Sequence, residues 1–229
     1  MIEALIQSLR QRPCAFVLAL VVTFAMVPSL DLAFSGLFYR AGEGFFWRYA
    51  APFEFVRRAL PPLAIGIVGV ICLAWLAGAL LRERILGVDN RVGGFLVGSL
   101  LLGPGLLVNT LFKDNWGRAR PSTIVEFGGS KIFTPPLMIA GQCDRNCSFV
   151  SGHAALAFWS LAFALMAPPR WRMRAVVGAV AFGLLVGLVR VIQGAHFLSD
   201  VLYSGVVVGA VTVVLYRFLL TRRSAPGAP

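Results

Sequence analysis

Six apolar runs alternate with polar segments along the chain: Cys14–Leu30, Ala59–Leu81, Val92–Phe112, Ala154–Ala167, Ala175–Val191 and Val201–Leu220. A helix needs about 20 apolar residues to cross the hydrocarbon core of a bilayer. The pattern predicts an all-α integral membrane bundle of six transmembrane helices, a single domain over residues 1–229. The fourth run is short, and spans only if its helix starts a turn or two earlier, near Ser148. Ahead of the first run, Ile2, Leu5, Ile6 and Leu9 recur at helical spacing, which predicts an amphipathic interfacial segment over residues 1–12. Arg10 and Arg12 before the first run, with Ala33-Phe34-Ser35 after it, have the layout of a signal peptide; the run is read as an uncleaved span. Gly94/Gly98, Gly183/Gly187 and Gly205/Gly209 are spaced to let helices pack closely.

Composition agrees with a membrane chain. Of 229 residues, 58% are hydrophobic and 14% charged, with a mean hydropathy of +0.80. A soluble domain is about a quarter charged. The formal net charge is +11, yet the arginines sit in short loops at helix ends, and no aromatic–basic array suggests nucleic acid. The expected partners are the membrane and a membrane lipid, and nothing in the sequence sets an oligomeric state. With six spans, Arg10 and Arg12, Arg82, Arg84 and Arg91, Arg170, Arg172 and Arg174, and Arg222 and Arg223 fall on one side. Short basic loops stay in the cytoplasm. Both termini, including the tail over 221–229, are then cytoplasmic, and residues 113–153 form a periplasmic loop region of a bacterial inner-membrane protein.

The outer segments carry distinct signals. Asp31–Arg58 holds Phe45, Phe46, Trp47, Tyr49, Phe53 and Phe55 among Arg48, Arg57 and Arg58, which reads as an interfacial belt, with a surface helix beside the lipid entry as the alternative. Gly128, Gly129, Pro135, Pro136 and Gly141 predict loop in the 113–153 segment. Cys143 and Cys147, outside the membrane, are a candidate disulfide, with two free thiols as the alternative. Cys14 and Cys72 read as apolar filler within spans.

Three polar clusters fall on the outer face. Lys113-Asp-Asn-Trp-Gly-Arg-Ala-Arg120-Pro121 ends the third run, Ser148-Phe-Val-Ser151-Gly152-His153 opens the fourth, and Arg190…His196…Asp200 joins the last two. Lys113, Arg120 and Arg190 imply an anion with several oxygens. Ser151 and Gly152 open a helix whose backbone N–H groups can face that anion. His196 and Asp200 are spaced for one helix face, with Gly194 breaking the chain after Arg190. A carboxylate at that spacing orients the imidazole, which predicts His196 as nucleophile and His153 as the acid protonating the leaving oxygen. Arg118 is a candidate headgroup contact. The outer acids form no ligand cluster, so no metal and no cofactor are expected, and fixed cations take the charge role.

At these residues the chain resembles the type 2 phosphatidic acid phosphatase family. Lys113…Arg120-Pro121, Ser151-Gly152-His153 and Arg190…His196…Asp200 match its three motifs. Val150 stands where the family usually has proline, and Val189 where it usually has serine. The resemblance implies a six-helix core, a phosphohistidine on His196, His153 as general acid and no metal. It also implies phosphate binding by Lys113, Arg120, Ser151, Gly152 and Arg190. The expected activity is removal of a terminal phosphate from phosphatidylglycerophosphate, phosphatidic acid, undecaprenyl diphosphate or lipid A. The wording around Trp116–Pro121 and Asn146–His153 is most similar to branches that include lipid A phosphatases. The alternatives are a lipid phosphotransferase and a non-catalytic lipid transporter.

Overall fold

The computed structural model describes residues 13–221. The amphipathic segment over 1–12 with Arg10 and Arg12, the Arg222–Arg223 tail and the side chain of Cys14 lie outside the described residues. The described chain is mostly helical. Helices α1 (Pro13–Met26) and α2 (Ser29–Gly36) meet at 86°, so the expected single run Cys14–Leu30 is broken. Pro28 sits at the break and biases Val27 away from helical backbone. A two-stranded hairpin follows, β1 (Tyr39–Arg40) with β2 (Gly44–Phe45). It takes the middle of the segment for which a surface helix is the alternative, while residues 51–58 are helical. Phe45 is buried, while Phe46, Trp47 and Tyr49 stay exposed.

Helix α3 (Ala51–Leu81) starts well before its apolar run at Ala59. Its first turns are polar, and Glu54 pairs with Arg57 at 2.6 Å and Arg58 at 3.2 Å, so the helix continues past the apolar stretch. It ends at Arg82 in left-handed backbone, and Asp89 caps the next helix by accepting from the N–H groups of Arg91 and Val92. Helix α4 (Asn90–Asn115) widens into π-helix over Leu101–Phe112. Pro104 lacks an N–H and crowds the carbonyl a turn earlier, and Asn109 Nδ2 donates to its carbonyl at 2.9 Å. Two 3₁₀ turns, Pro121–Thr123 and Val125–Phe127, are the regular pieces of the long loop. Then come α5 (Gly152–Met166), α6 (Pro169–Ile192) and α7 (Leu198–Thr221).

Four helices, α3, α4, α6 and α7, are long and apolar enough to cross a membrane, and α1–α2 would make a fifth as one bent span. Helix α5 is shorter and starts at Gly152 rather than near Ser148. It forms the core of the bundle, with Ala154, Ala155, Ala157, Phe158, Trp159 and Ala162 buried. A methyl at Gly183 would stand 2.3 Å from the Phe158 ring, and one at Gly187 would stand 2.1 Å from Val201. Those two glycines do permit close packing; Gly94 faces open space and Gly98 and Gly209 ordinary contacts. Leu63, Ile65, Leu73, Leu80, Leu185 and Val214 are each more than half exposed. Apolar surface on that scale suits lipid rather than water. Because successive long helices reverse direction, the starts of α3, α5 and α7 gather with the ends of α4 and α6.

Candidate active site

The turn from α6 to α7 sets the centre of that end. Gly194 has φ +65°, and a Cβ there would lie 2.4 Å from the Phe45 ring. Backbone and space both require glycine, and the chain reverses with Ala195 N–H donating to the Arg190 carbonyl at 3.0 Å. His196 lies in this turn and not on α7, whose N-cap is Phe197. Asp200 instead closes the cap, accepting from Phe197 N–H at 2.9 Å. The two side chains therefore do not share a helix face. Nδ1 of His196 meets the Ser148 carbonyl at 2.7 Å, whereas the Asp200 carboxylate is 3.7 Å away. A carbonyl only accepts, so Nδ1 carries the proton and Nε2 keeps its lone pair. Burial lowers the His196 pKa to about 3, with Lys113 and Arg120 acting in the same direction and Asp200 opposing them.

Ser148 also bridges the two residues, its carbonyl meeting His196 and its hydroxyl Asp200. Asp200 Oδ2 accepts from Ser148 Oγ at 2.6 Å, and its Oδ1 accepts from Arg118 at 2.5 Å. Arg118 also donates to Asp31 at 2.8 Å and to the Thr134 carbonyl at 2.8 Å, and lies 4.2 Å over the Phe197 ring. The headgroup contact expected of Arg118 is thus overturned: the residue is 0% exposed, held between two carboxylates. Asp31 completes the network through Ser199, whose Oγ and N–H both donate to it. Asp31 escaped the sequence reading because its partners are far along the chain, beyond any local spacing.

The cations are arranged around Asn146. Lys113 Nζ donates to its side-chain oxygen at 2.8 Å, and Arg120 Nη2 to its carbonyl at 2.7 Å. Asn146 has φ +52° and donates its own N–H to Asp114. The adjoining backbone is tied down as well: Cys147 N–H reaches the Lys113 carbonyl and Ser148 N–H the Arg118 carbonyl, both at 2.9 Å. Cys143 and Cys147 are joined as a disulfide, with Cα atoms 5.6 Å apart. Ser151 caps α5, its Oγ accepting from Ala154 N–H at 3.4 Å. Its own N–H goes to the Asp200 carbonyl, so that group is not free for an anion; the hydroxyl proton and the N–H groups of Gly152 and His153 remain. At Gly152 a Cβ would meet Lys113 Cε at 3.3 Å and Asn109 Oδ1 at 2.7 Å. The lysine crosses the face that glycine leaves open.

Arg190 and His153 are held from α3. Arg190 donates to Gln193 Oε1, and Gln193 Nε2 donates to Glu54 at 3.1 Å and to the Arg48 carbonyl at 3.0 Å. Glu54 in turn takes two bonds from Arg57, at 2.8 and 2.6 Å. Nε2 of His153 donates to the Arg57 backbone carbonyl at 3.0 Å. A cavity of about 270 Å³ opens beside these groups, lined by Arg48, Arg57, Arg58, Arg120, Arg190 and Glu54 among others. Lys113 and both histidines are not among its lining residues, but each interacts electrostatically with Arg120 or Arg190. Glu54 and Gln193 were missed in the sequence; their signals are the spacing of Glu54 with Arg57 and Arg58, and the place of Gln193 beside the Gly194 break.

The structure is thus an apolar helical bundle that gathers two imidazoles and several cations at one end. The model of the PAP2 superfamily matches residues 93–224. Relatives named lipid A 4'-phosphatase are 36% identical in Francisella tularensis subsp. novicida, over 88% of this chain and 91% of theirs, and 33% identical in Rhizobium leguminosarum, over 80% and 84%. A lipid A 1-phosphatase of Rhizobium etli is 38% identical over 48% of this chain and 43% of its own. No solved structure matches. The chain belongs to the PAP2 superfamily of type 2 phosphatidic acid phosphatases, and it is a lipid phosphatase.

Proposed function

We propose that the protein removes the 4'-phosphate of lipid A by way of a phosphohistidine, at the periplasmic face of a six-span inner-membrane bundle. The observation that carries the reaction is the His196–Ser148 hydrogen bond, which leaves Nε2 as the nucleophilic atom. Nε2 attacks phosphorus in line, and the bond from phosphorus to the sugar oxygen breaks. That oxygen takes the proton of His153. Water, giving its proton back to His153, then attacks the phosphohistidine and releases phosphate. Lys113, Arg120 and Arg190 hold the non-bridging oxygens, where charge persists through both steps. Ser151 and Gly152 add the mouth of α5. The Cys143–Cys147 bond supports the backbone that carries Asn146, and so the reach of Lys113 and Arg120.

The relatives support the choice of lipid A, since similarity to the 4'-phosphatases runs over most of the chain and similarity to the 1-phosphatases over about half. The arginine-lined cavity supports a headgroup with more than one anionic group. The test is phosphate release from doubly phosphorylated lipid A by the native protein and His196→Gln, with mass spectrometry locating the lost group. Loss of the 1-phosphate, or release by His196→Gln equal to native, would overturn the reading. Adding a second lipid as acceptor separates hydrolysis from transfer, because transfer yields a newly phosphorylated lipid.

A further inference from the structure

Helix α3 carries two consecutive prolines, Pro61 and Pro62, inside its length. In an α-helix the N–H of residue 61 bonds the carbonyl of residue 57. Pro61 has no N–H, and its ring crowds the carbonyl four residues earlier. The Arg57 carbonyl therefore lacks its usual donor in the helical ladder. It is this carbonyl that accepts from His153 Nε2 at 3.0 Å. A partly buried carbonyl deprived of its helical donor is left short of a partner, and α5, packed alongside, supplies the imidazole.

We propose that Pro61 is a positioning residue for the acid: by vacating the Arg57 carbonyl it fixes the His153 ring, spending Nε2–H on α3 and leaving Nδ1 to carry the transferable proton. The inference rests on the proposed role of His153. When the phosphorus–oxygen bond breaks, its electron pair stays on the leaving oxygen, which takes the Nδ1 proton and leaves the imidazole neutral. The carbonyl bond persists in both forms and is stronger to the cation. Losing it makes the proton-bearing form harder to keep as pH rises. The same α3 turn also holds Glu54 and thereby Gln193 and Arg190, so one helix start sets both the acid and a phosphate cation.

Pro61→Ala restores an N–H that competes for the Arg57 carbonyl. Pro62→Ala restores one for Arg58, whose carbonyl holds no catalytic histidine among the described residues. Each variant is assayed on a phosphorylated lipid, whose alkoxide needs a proton to leave, and on an aryl phosphate with an acidic phenol, which does not. Pro61→Ala is expected to lose about tenfold or more in kcat on the lipid with KM unchanged, its alkaline limb moving to lower pH, and to lose less than about twofold on the aryl ester. Pro62→Ala is expected to stay within about twofold on both. Equal losses on the two esters, or no loss, would overturn the inference. His153→Gln separates the two levels. If it shows no dependence on leaving group, the acid role fails and the inference with it; if only it shows the dependence, the role of Pro61 alone fails.

Discussion

Arg118 and Arg120 stand on the same short stretch, and their surroundings differ in kind. Arg118 is 0% exposed, with Asp31 and Asp200 on its guanidinium and Ser199 and the Thr134 carbonyl beside it. Arg120 borders a cavity where five arginines face one carboxylate, Glu54. The first group is satisfied without a ligand. The second holds more arginines than carboxylates, and burial together with Arg48 lowers the pKa of Arg120. Charge count is therefore a poor guide; the number of partners already present is what separates these two arginines.

His196 sits between the two regions, and His196→Gln gives the largest expected effect. Phosphate release falls by about 10⁴-fold or more, while thermal unfolding in detergent shows the folded protein retained. Arg118→Ala and Arg120→Ala then test the comparison directly. Breaking a buried ion pair from one side costs about 3–5 kcal/mol, so Arg118→Ala should lower the unfolding midpoint sharply or abolish folded yield. Lysine does not rescue it, since it lacks the fork that reaches both carboxylates. Arg120→Ala, and likewise Arg190→Gln, should fold and lose about 10²–10³-fold in kcat/KM, as for removal of one oxyanion donor. If Arg118→Ala folds as well as Arg120→Ala, the distinction between the regions is wrong.

Smaller effects sharpen the picture. Arg48→Gln, at the cavity rim, should raise KM several-fold for a doubly phosphorylated lipid, with less effect at high salt and on a singly phosphorylated one. The last effect follows from His196. The folded residue binds a proton only below about 3, the unfolded one below 6.5. Between those values the unfolded chain binds more protons, so stability is lost as pH falls from 6.5 toward 3. The unfolding midpoint of the native protein should decline on acidification through that window, and His196→Gln should flatten the decline.

The motif residues were legible because their spacing is local. Lys113 with Arg120, Ser151 with His153 and Arg190 with His196 each lie within one helix end or turn. What they bond to was not. Asp31, Ser148 and Arg57 contribute through partners dozens of residues away, and two of them act through backbone carbonyls, which no side-chain pattern announces. The helix-face reading of His196 and Asp200 failed because Phe197 caps α7 and leaves His196 in the turn. Hydropathy marked the apolar part of α3 but not its start, which is held by Glu54 with Arg57 and Arg58 and lies in the segment that reads as an interfacial belt. The break at Val27–Pro28 was hidden inside an apolar run.

The hydrogen at Gly152, where other residues carry a side chain, ties two motifs into one part. Lys113 lies across the space a methyl would fill, so the cation and the helix that presents His153 interlock like tongue and groove. A side chain at 152 would press first on Asn109 Oδ1, 2.7 Å from its Cβ, and then on the lysine stem at 3.3 Å, disturbing the end of α4 and the start of α5 together.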